Sequence, residues 1–171
     1  MGRSRACPGR RRSASRTGLR STRKGTFTSS TVRGAVWRVP ALGGAAEVWF
    51  ESPLLVGTGA FQFGFPLGAN GIAYRQNAIV VGNTEAARLV RIEIEPDGSA
   101  GPAGVLAESP LLLGVDGIAF DVHGDVWAAV IAQSTIVRVS PDGTITTVAT
   151  AAAGSTGPRA SRSAKAAICG W

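Results

Sequence analysis

Several residue types are almost missing from this chain of 171 residues, and each absence narrows what it can be. Histidine and tyrosine occur once each and cysteine twice. The cysteines, Cys7 and Cys169, lie one in each terminal stretch. Cysteines so placed are weak support for a disulfide, and no ligand spacing suggests zinc. The single histidine, His123, lies between Val122 and Gly124 and reads as an exposed turn residue. Ser52, Ser109 and Ser140 each stand beside a proline, and no Gly-x-Ser-x-Gly elbow is present, so a Ser-His-Asp triad is not supported. Long apolar runs are missing too. The longest, Val126 to Ala132, is far short of the roughly 20 residues that cross a bilayer. No apolar segment follows Arg12, so no secretory signal is read, and a cytoplasmic location is the default.

Acidic residues are absent from both ends. Residues 1–33 hold ten Lys/Arg and no acid, and residues 151–171 hold three and no acid. The middle, 34–150, holds five arginines against eleven Asp/Glu. The net charge of +7 therefore hides a mildly acidic segment between two basic ones. The ends are rich in Arg, Ser, Ala, Gly and Thr and cannot bury a core alone, so they read as disordered tails. Arg3, Arg5, Arg10, Arg11, Arg12, Arg16, Arg20 and Arg23 would attract nucleic acid or a membrane surface, but no aromatic is interleaved for base stacking. No specific nucleic-acid partner and no membrane span are expected.

What is present is a phrase that occurs twice. Ala69-Asn70-Gly71-Ile72-Ala73-Tyr74 is answered by Val115-Asp116-Gly117-Ile118-Ala119-Phe120 at an offset of 46. Leu89-Val90-Arg91-Ile92 matches Ile136-Val137-Arg138-Val139, and each runs on to Pro-Asp-Gly at 96–98 and 141–143. Glu51-Ser52-Pro53-Leu54-Leu55 returns at 108–112, and the first copy carries an insert of roughly Gly57 to Pro66 in which Phe61, Phe63 and Phe65 alternate. Short β-branched strands with tight turns at such a period are the signature of propeller blades. The strands expected are 34–39 and 46–50. One full blade follows at 71–74, 78–81, 88–94 and 104–107, and a second at 117–122, 126–130, 135–140 and 144–149. In Pro-Asp-Gly the proline presets φ, the aspartate caps the turn, and the glycine accepts positive φ. Trp37, Trp49 and Trp127 lie on strands and read as packing between blades. A generic β-sandwich is the alternative, but it does not require whole phrases to recur in order.

These motifs, together with Asp121 and Gly124-Asp125-Val126-Trp127-Ala128, resemble the regucalcin / senescence-marker-protein / gluconolactonase-like (LRE-like) family over about residues 34–150. The resemblance implies an all-β fold: about two to three blades of a six-bladed β-propeller. It also implies that Asn70 and Asp116 ligate a divalent metal in the central channel, with Asp116 also serving as general base. Each precedes an innermost strand, which sets the two at the same end of the channel one blade apart. Their hard oxygens suit calcium first, with zinc or magnesium as alternatives. The implied activity is metal-dependent lactone (ester) hydrolysis on a small-molecule lactone. Asn-Gly and Asp-Gly also favour tight turns without any metal. The family's early acidic ligand and a further channel Asn have no counterpart here. Asp121 matches a repeat residue that bonds a turn.

The tails admit a second account. Regrouping each codon's third base with the next two makes Gly18 to Thr31 compatible with a blade phrase, Gly-x-Ala-Phe-Asp-Ala-x-Gly-Asn-Leu-Tyr-Val, that leads into Val32. The same regrouping makes 154–170 compatible with another innermost strand. On that account both tails are frame-shifted propeller sequence. An open arc of blades exposes apolar faces and is expected to self-associate. Two classes of function follow: a truncated lactonase-type hydrolase, and a non-enzymatic propeller binding module or non-functional fragment.

Overall fold

The computed structural model describes residues 19–22, 25–30, 34–61 and 65–151. Three four-stranded antiparallel sheets follow one another along the chain, each a simple meander. Blade 1 comprises β1 (Leu19–Thr22), β2 (Gly25–Ser30), β3 (Ala35–Val39) and β4 (Glu47–Glu51). Blade 2 comprises β5 (Ala69–Arg75), β6 (Ala78–Asn83), β7 (Arg88–Ile94) and β8 (Ala100–Glu108). Blade 3 comprises β9 (Val115–Phe120), β10 (Val126–Val130), β11 (Thr135–Val139) and β12 (Ile145–Thr150). The expected all-β partial propeller of about two to three blades is thus what the chain forms, with three blades among the described residues.

One expected boundary moves. Composition placed residues 1–33 in a disordered basic tail, but 19–22 and 25–30 are strands of the first blade. They pair in register, Leu19 with Thr28, and β2 continues onto β3, Thr28 with Trp37. Backbone hydrogen bonding makes these ladders and asks little of the side chains, so a Thr/Ser/Arg composition does not forbid them. It is the same stretch in which the regrouped codons give a blade phrase. The remaining tail residues, 1–18 and 152–171, with both cysteines, lie outside the described residues.

Pairing registers align the three blades through the start of their outer ladders. Each third strand meets its fourth across a bulge at the same place, between Val36 and Trp37, Leu89 and Val90, and Ile136 and Val137. The outermost strand of blade 2 carries Pro102, which only an edge strand tolerates because proline donates no ladder bond. The repeated Ser-Pro-Leu-Leu phrase becomes a 3₁₀ turn. Ser52 Oγ accepts from Leu54 N–H and Ser109 Oγ from Leu111 N–H, each at 3.2 Å, and Leu55 and Leu112 are fully buried beneath.

The core lies between blades. Phe27 and Val36 of blade 1 pack with Ile72, Ile79, Val81, Val90 and Ile92 of blade 2. Ala73, Val80, Leu89 and Ala107 of blade 2 pack with Leu112, Val115, Val126, Val130 and Val137 of blade 3. β6 is buried at every residue because both of its faces are covered, whereas β10 alternates buried and exposed. Burying a side chain such as Leu89 stabilises the pair of blades by about 1.5–3 kcal/mol. Trp49 fills the expected packing role. It meets Phe27 edge-on at 4.9 Å between ring centroids and donates Nε1–H to Gly98 O of blade 2 at 2.9 Å.

Candidate functional site

The innermost strands β5 and β9 run side by side, and their first residues build the site. Each strand opens with a bulge. Asn70 and Gly71 stand against one residue of β6 between the pairs Ala69–Asn83 and Ile72–Val81. Asp116 and Gly117 do the same on β10 between Val115–Val130 and Ile118–Ala128. A bulge frees a residue from the ladder and re-aims its side chain. Both polar residues are half-buried. They meet: Asn70 Nδ2 donates to Asp116 Oδ1 at 2.8 Å. Asn70 Nδ2 also donates to Thr84 Oγ1 at 3.3 Å, and Thr84 Oγ1 donates to Val115 O at 2.8 Å. The two positions expected to share the channel end are therefore adjacent.

Gly71 makes this approach possible. A Cβ there would stand 2.1 Å from Asp116 O, inside backbone that cannot move aside cheaply. Buried Asn83, next to Thr84, is fully engaged in structure. Its Nδ2 donates to Leu54 O at 3.0 Å and Val56 O at 2.8 Å, and its Oδ1 accepts from Ala86 N–H at 3.1 Å.

Glu85 was not singled out by sequence reasoning, yet it ties the insert to the site. It is 5% exposed and accepts from Gly59 N–H at 2.5 Å and Phe61 N–H at 3.1 Å. Burial pushes its carboxyl up, but the backbone donors of Phe61, Gly59, Leu67 and Thr58 outweigh that and hold it below the ordinary value. Of the alternating phenylalanines, Phe61 is half-buried, Phe65 is exposed and Phe63 lies outside the described residues. The advance signal for Glu85 was no more than an acid two residues beyond β6.

At the opposite end of β5, Arg75 clasps the next blade. Its Nη1 donates to Asp121 O at 2.6 Å and its Nη2 to Val122 O at 2.9 Å. Asp121 organises the turn, as its repeat position implied. Oδ1 accepts from the backbone N–H groups of His123, Gly124 and Asp125 at 2.8–3.0 Å, and Oδ2 accepts from Trp127 Nε1–H at 2.9 Å. Burial raises its pKa, and these donors, led by Trp127, more than reverse the shift. His123 is exposed in that turn, far along the strand from Asn70 and Asp116.

The donor chemistry at Asn70, Asp116 and Thr84 is hard oxygen, which fits a calcium-like cation. Among the described residues no group of three His, Cys, Asp or Glu converges on one point. The fit is therefore one of donor type, with part of a coordination shell supplied.

The profile of the family described as the SMP-30/Gluconolactonase/LRE-like region matches residues 67–157, just over half of the chain. No curated protein matches the chain in sequence. Solved structures match in fold. A gluconolactonase from Xanthomonas campestris aligns with a TM-score of 0.58 at 16% identity, over 82% of this chain and 50% of that one. The calcium-binding protein regucalcin from Agrobacterium tumefaciens gives 0.54 at 19%, over 77% and 43%. Virginiamycin B lyase from Staphylococcus aureus gives 0.57 at 17%, over 77% and 40%. The chain thus spans half or less of the length of each of these proteins.

Proposed function

Because the chain belongs to the SMP-30/gluconolactonase/LRE-like family, we propose that its axial pair is a divalent-metal donor set of the kind that serves lactone hydrolysis. The observation that supports this reading is the 2.8 Å contact between Asn70 and Asp116, delivered from equivalent bulges of consecutive blades. The Asp116 carboxylate and the Asn70 amide oxygen would hold the cation, calcium before zinc or magnesium. When bound, such a cation polarises a lactone carbonyl and acidifies a water. Asp116 is the proton acceptor for that water. Thr84 Oγ1, which donates to Val115 O, accepts from Asn70 Nδ2 in the metal-free pair, and the Asn70 amide would give up that hydrogen bond to present its oxygen to a cation. Calcium takes six to eight oxygens, so this pair supplies a minority of the shell. Hydrolysis therefore needs donors beyond these residues.

A second reading has its own observation. The Asn70 N–H already satisfies Asp116 without a cation, as a purely structural pair in a binding propeller or an inactive fragment would. Calcium titration followed by thermal melting separates the two. A melting shift in the parent chain that is lost in both Asn70→Ala and Asp116→Ala supports the metal site. The absence of any shift in the parent leaves the structural pair as the answer. Lactone opening, followed by acid release, then tests whether the site is also catalytic.

A further inference from the structure

We infer that two copies of this chain close on each other, head to tail, into one continuous ring of blades. The inference starts from what blade 2 does to blade 3 and what blade 3 then leaves open. Blade 2 seats its successor with Ala73, Val80, Leu89 and Ala107, all buried in the interface core. Matching registers give the equivalents on blade 3. Ala73 pairs with Val80 as Ala119 pairs with Trp127, and Leu89 pairs with Ala107 as Ile136 pairs with Ala149. On blade 3 these residues face solvent, with Trp127 36% and Ile136 42% exposed. The sequence Val126-Trp127-Ala128-Ala129-Val130 is apolar on both faces, which is the pattern of a strand covered on two sides. Among the described residues only one side of it is covered.

The glycines report the same vacancy. A Cβ on Gly71 would run into Asp116 O of the next blade, while one on the equivalent Gly117 meets no described atom within 4 Å. Blade 1 shows the complementary gap at the other end of the arc. The turn between third and fourth strands is the same in all three blades, with Gly43 N–H bonded to Pro40 O, Gly98 to Glu95 O and Gly143 to Ser140 O. Gly143 lies against Leu106 O of the preceding blade, and a Cβ on Gly43 would meet no described atom within 4 Å. Arg38 of blade 1 donates Nη1–H to Gly98 O in the turn of blade 2 at 2.8 Å. Its equivalent, Arg138, is exposed on the last blade beside Asp125, and the turn at Gly43 of a second copy offers it the same acceptor. Trp37 and Val39, which alternate with the buried Val36, are the half-exposed leading face of blade 1.

A second copy is the occupant because its leading face carries Trp37 and Val39 at the register positions of Val90 and Ile92, which blade 2 packs against blade 1, while Thr26 and Thr28 stand where blade 2 has Ile79 and Val81. The arithmetic of the ring also fits. Three blades span half of the gluconolactonase chain, so a ring of that size holds twice as many. Half a ring maps onto the other half by a two-fold rotation about its axis. A head-to-tail contact closes when its rotation closes, here after two copies, and leaves no blade face bare.

Sedimentation velocity on the full chain tests this. The parent is expected at twice the mass of one chain. Ile136→Lys and Gly117→Ala on the trailing face, and Val39→Glu on the leading face, are each expected to halve that mass while keeping the parent's far-ultraviolet circular dichroism. Ile136→Lys mixed with Val39→Glu should restore a pair, because each retains one good face. If the lysine unfolds blade 3, Gly117→Ala decides, since its methyl meets no described atom of the same chain within 4 Å. A parent of single-chain mass overturns the inference, as it would if residues 152–171 cover the face. So does an open series of larger masses. A pair that survives Val39→Glu also overturns it, because two trailing faces would then be meeting each other.

Discussion

At Gly71 the two innermost strands come closer than any side chain would allow, so this residue decides whether Asn70 reaches Asp116. Gly71→Ala forces a methyl against Asp116 O, and overpacking of this kind typically costs about 1–3 kcal/mol. The expected outcome is a lower urea midpoint together with loss of any calcium-induced melting shift. A variant with unchanged midpoint and unchanged calcium response would contradict the close approach. Glu85 sets a second expectation, on pH. Its folded pKa lies below the ordinary value of 4.5, so the folded form takes up its proton later than the unfolded chain as pH falls. Its contribution to stability is therefore complete above pH 4.5 and drains away as pH drops through the lower folded value. Glu85→Gln keeps one acceptor and adds a donor against the Gly59 and Phe61 N–H groups. Leaving one of them unpaired costs about 1–3 kcal/mol. Hydrogen exchange at those two amides should quicken, and the acid loss of stability should shrink. Asn70 and Asp116 were legible because they are the strongly polar difference in a phrase that otherwise repeats or changes only Ala69 to Val115 and Tyr74 to Phe120. Thr84 and Glu85 were not, because their roles lie in contacts to Val115 and to the insert, distant in sequence and invisible to spacing.

Strands and turns carry most of what could be read in advance. β7 and β10 stand where alternation and β-branched content placed them, and the other expected strands shift by one to four residues at their ends. Pro-Asp-Gly closes its turns through Gly98 and Gly143 at positive φ, as its chemistry demands. β1 and β2 escaped notice because their sequence has no apolar alternation. Phe27 of β2 is buried, and pairing to β3 joins these strands to the blade. The turn between β9 and β10 is the element-level test. Asp121 accepts three backbone N–H groups and the Trp127 indole, and its carbonyl receives Arg75 from blade 2. Asp121→Ala removes the acceptor from those donors, and because two of the bonds are exposed and the others half-buried it should cost about 0.5–1.5 kcal/mol by chemical denaturation. Asp142→Ala, in an exposed turn where Oδ1 accepts from Thr144 N–H and Ser140 Oγ–H, should cost clearly less. Equal losses would mean that Asp121 does no more than hold its own turn.

For the whole molecule, the axial pair and the open faces bear on one another. If two arcs close about a common axis, two Asn70–Asp116 pairs face one channel, and a cation shell that one chain fills only in part gains donors from both. Calcium measured by isothermal titration should then saturate at one ion per two chains. Ile136→Lys lies on the trailing face of β11, whereas Asn70 and Asp116 stand on β5 and β9, yet it should weaken calcium binding at least tenfold, about 1.4 kcal/mol. By linkage, calcium should in turn favour the paired form. The two proposals fail separately. A pair that forms but takes no calcium removes the metal site and leaves the ring intact. One ion per single chain, unaffected by Ile136→Lys, removes the shared channel and leaves the donor pair. Either result is read directly from stoichiometry and mass, because the face that pairs and the residues that ligate are different parts of the same blades.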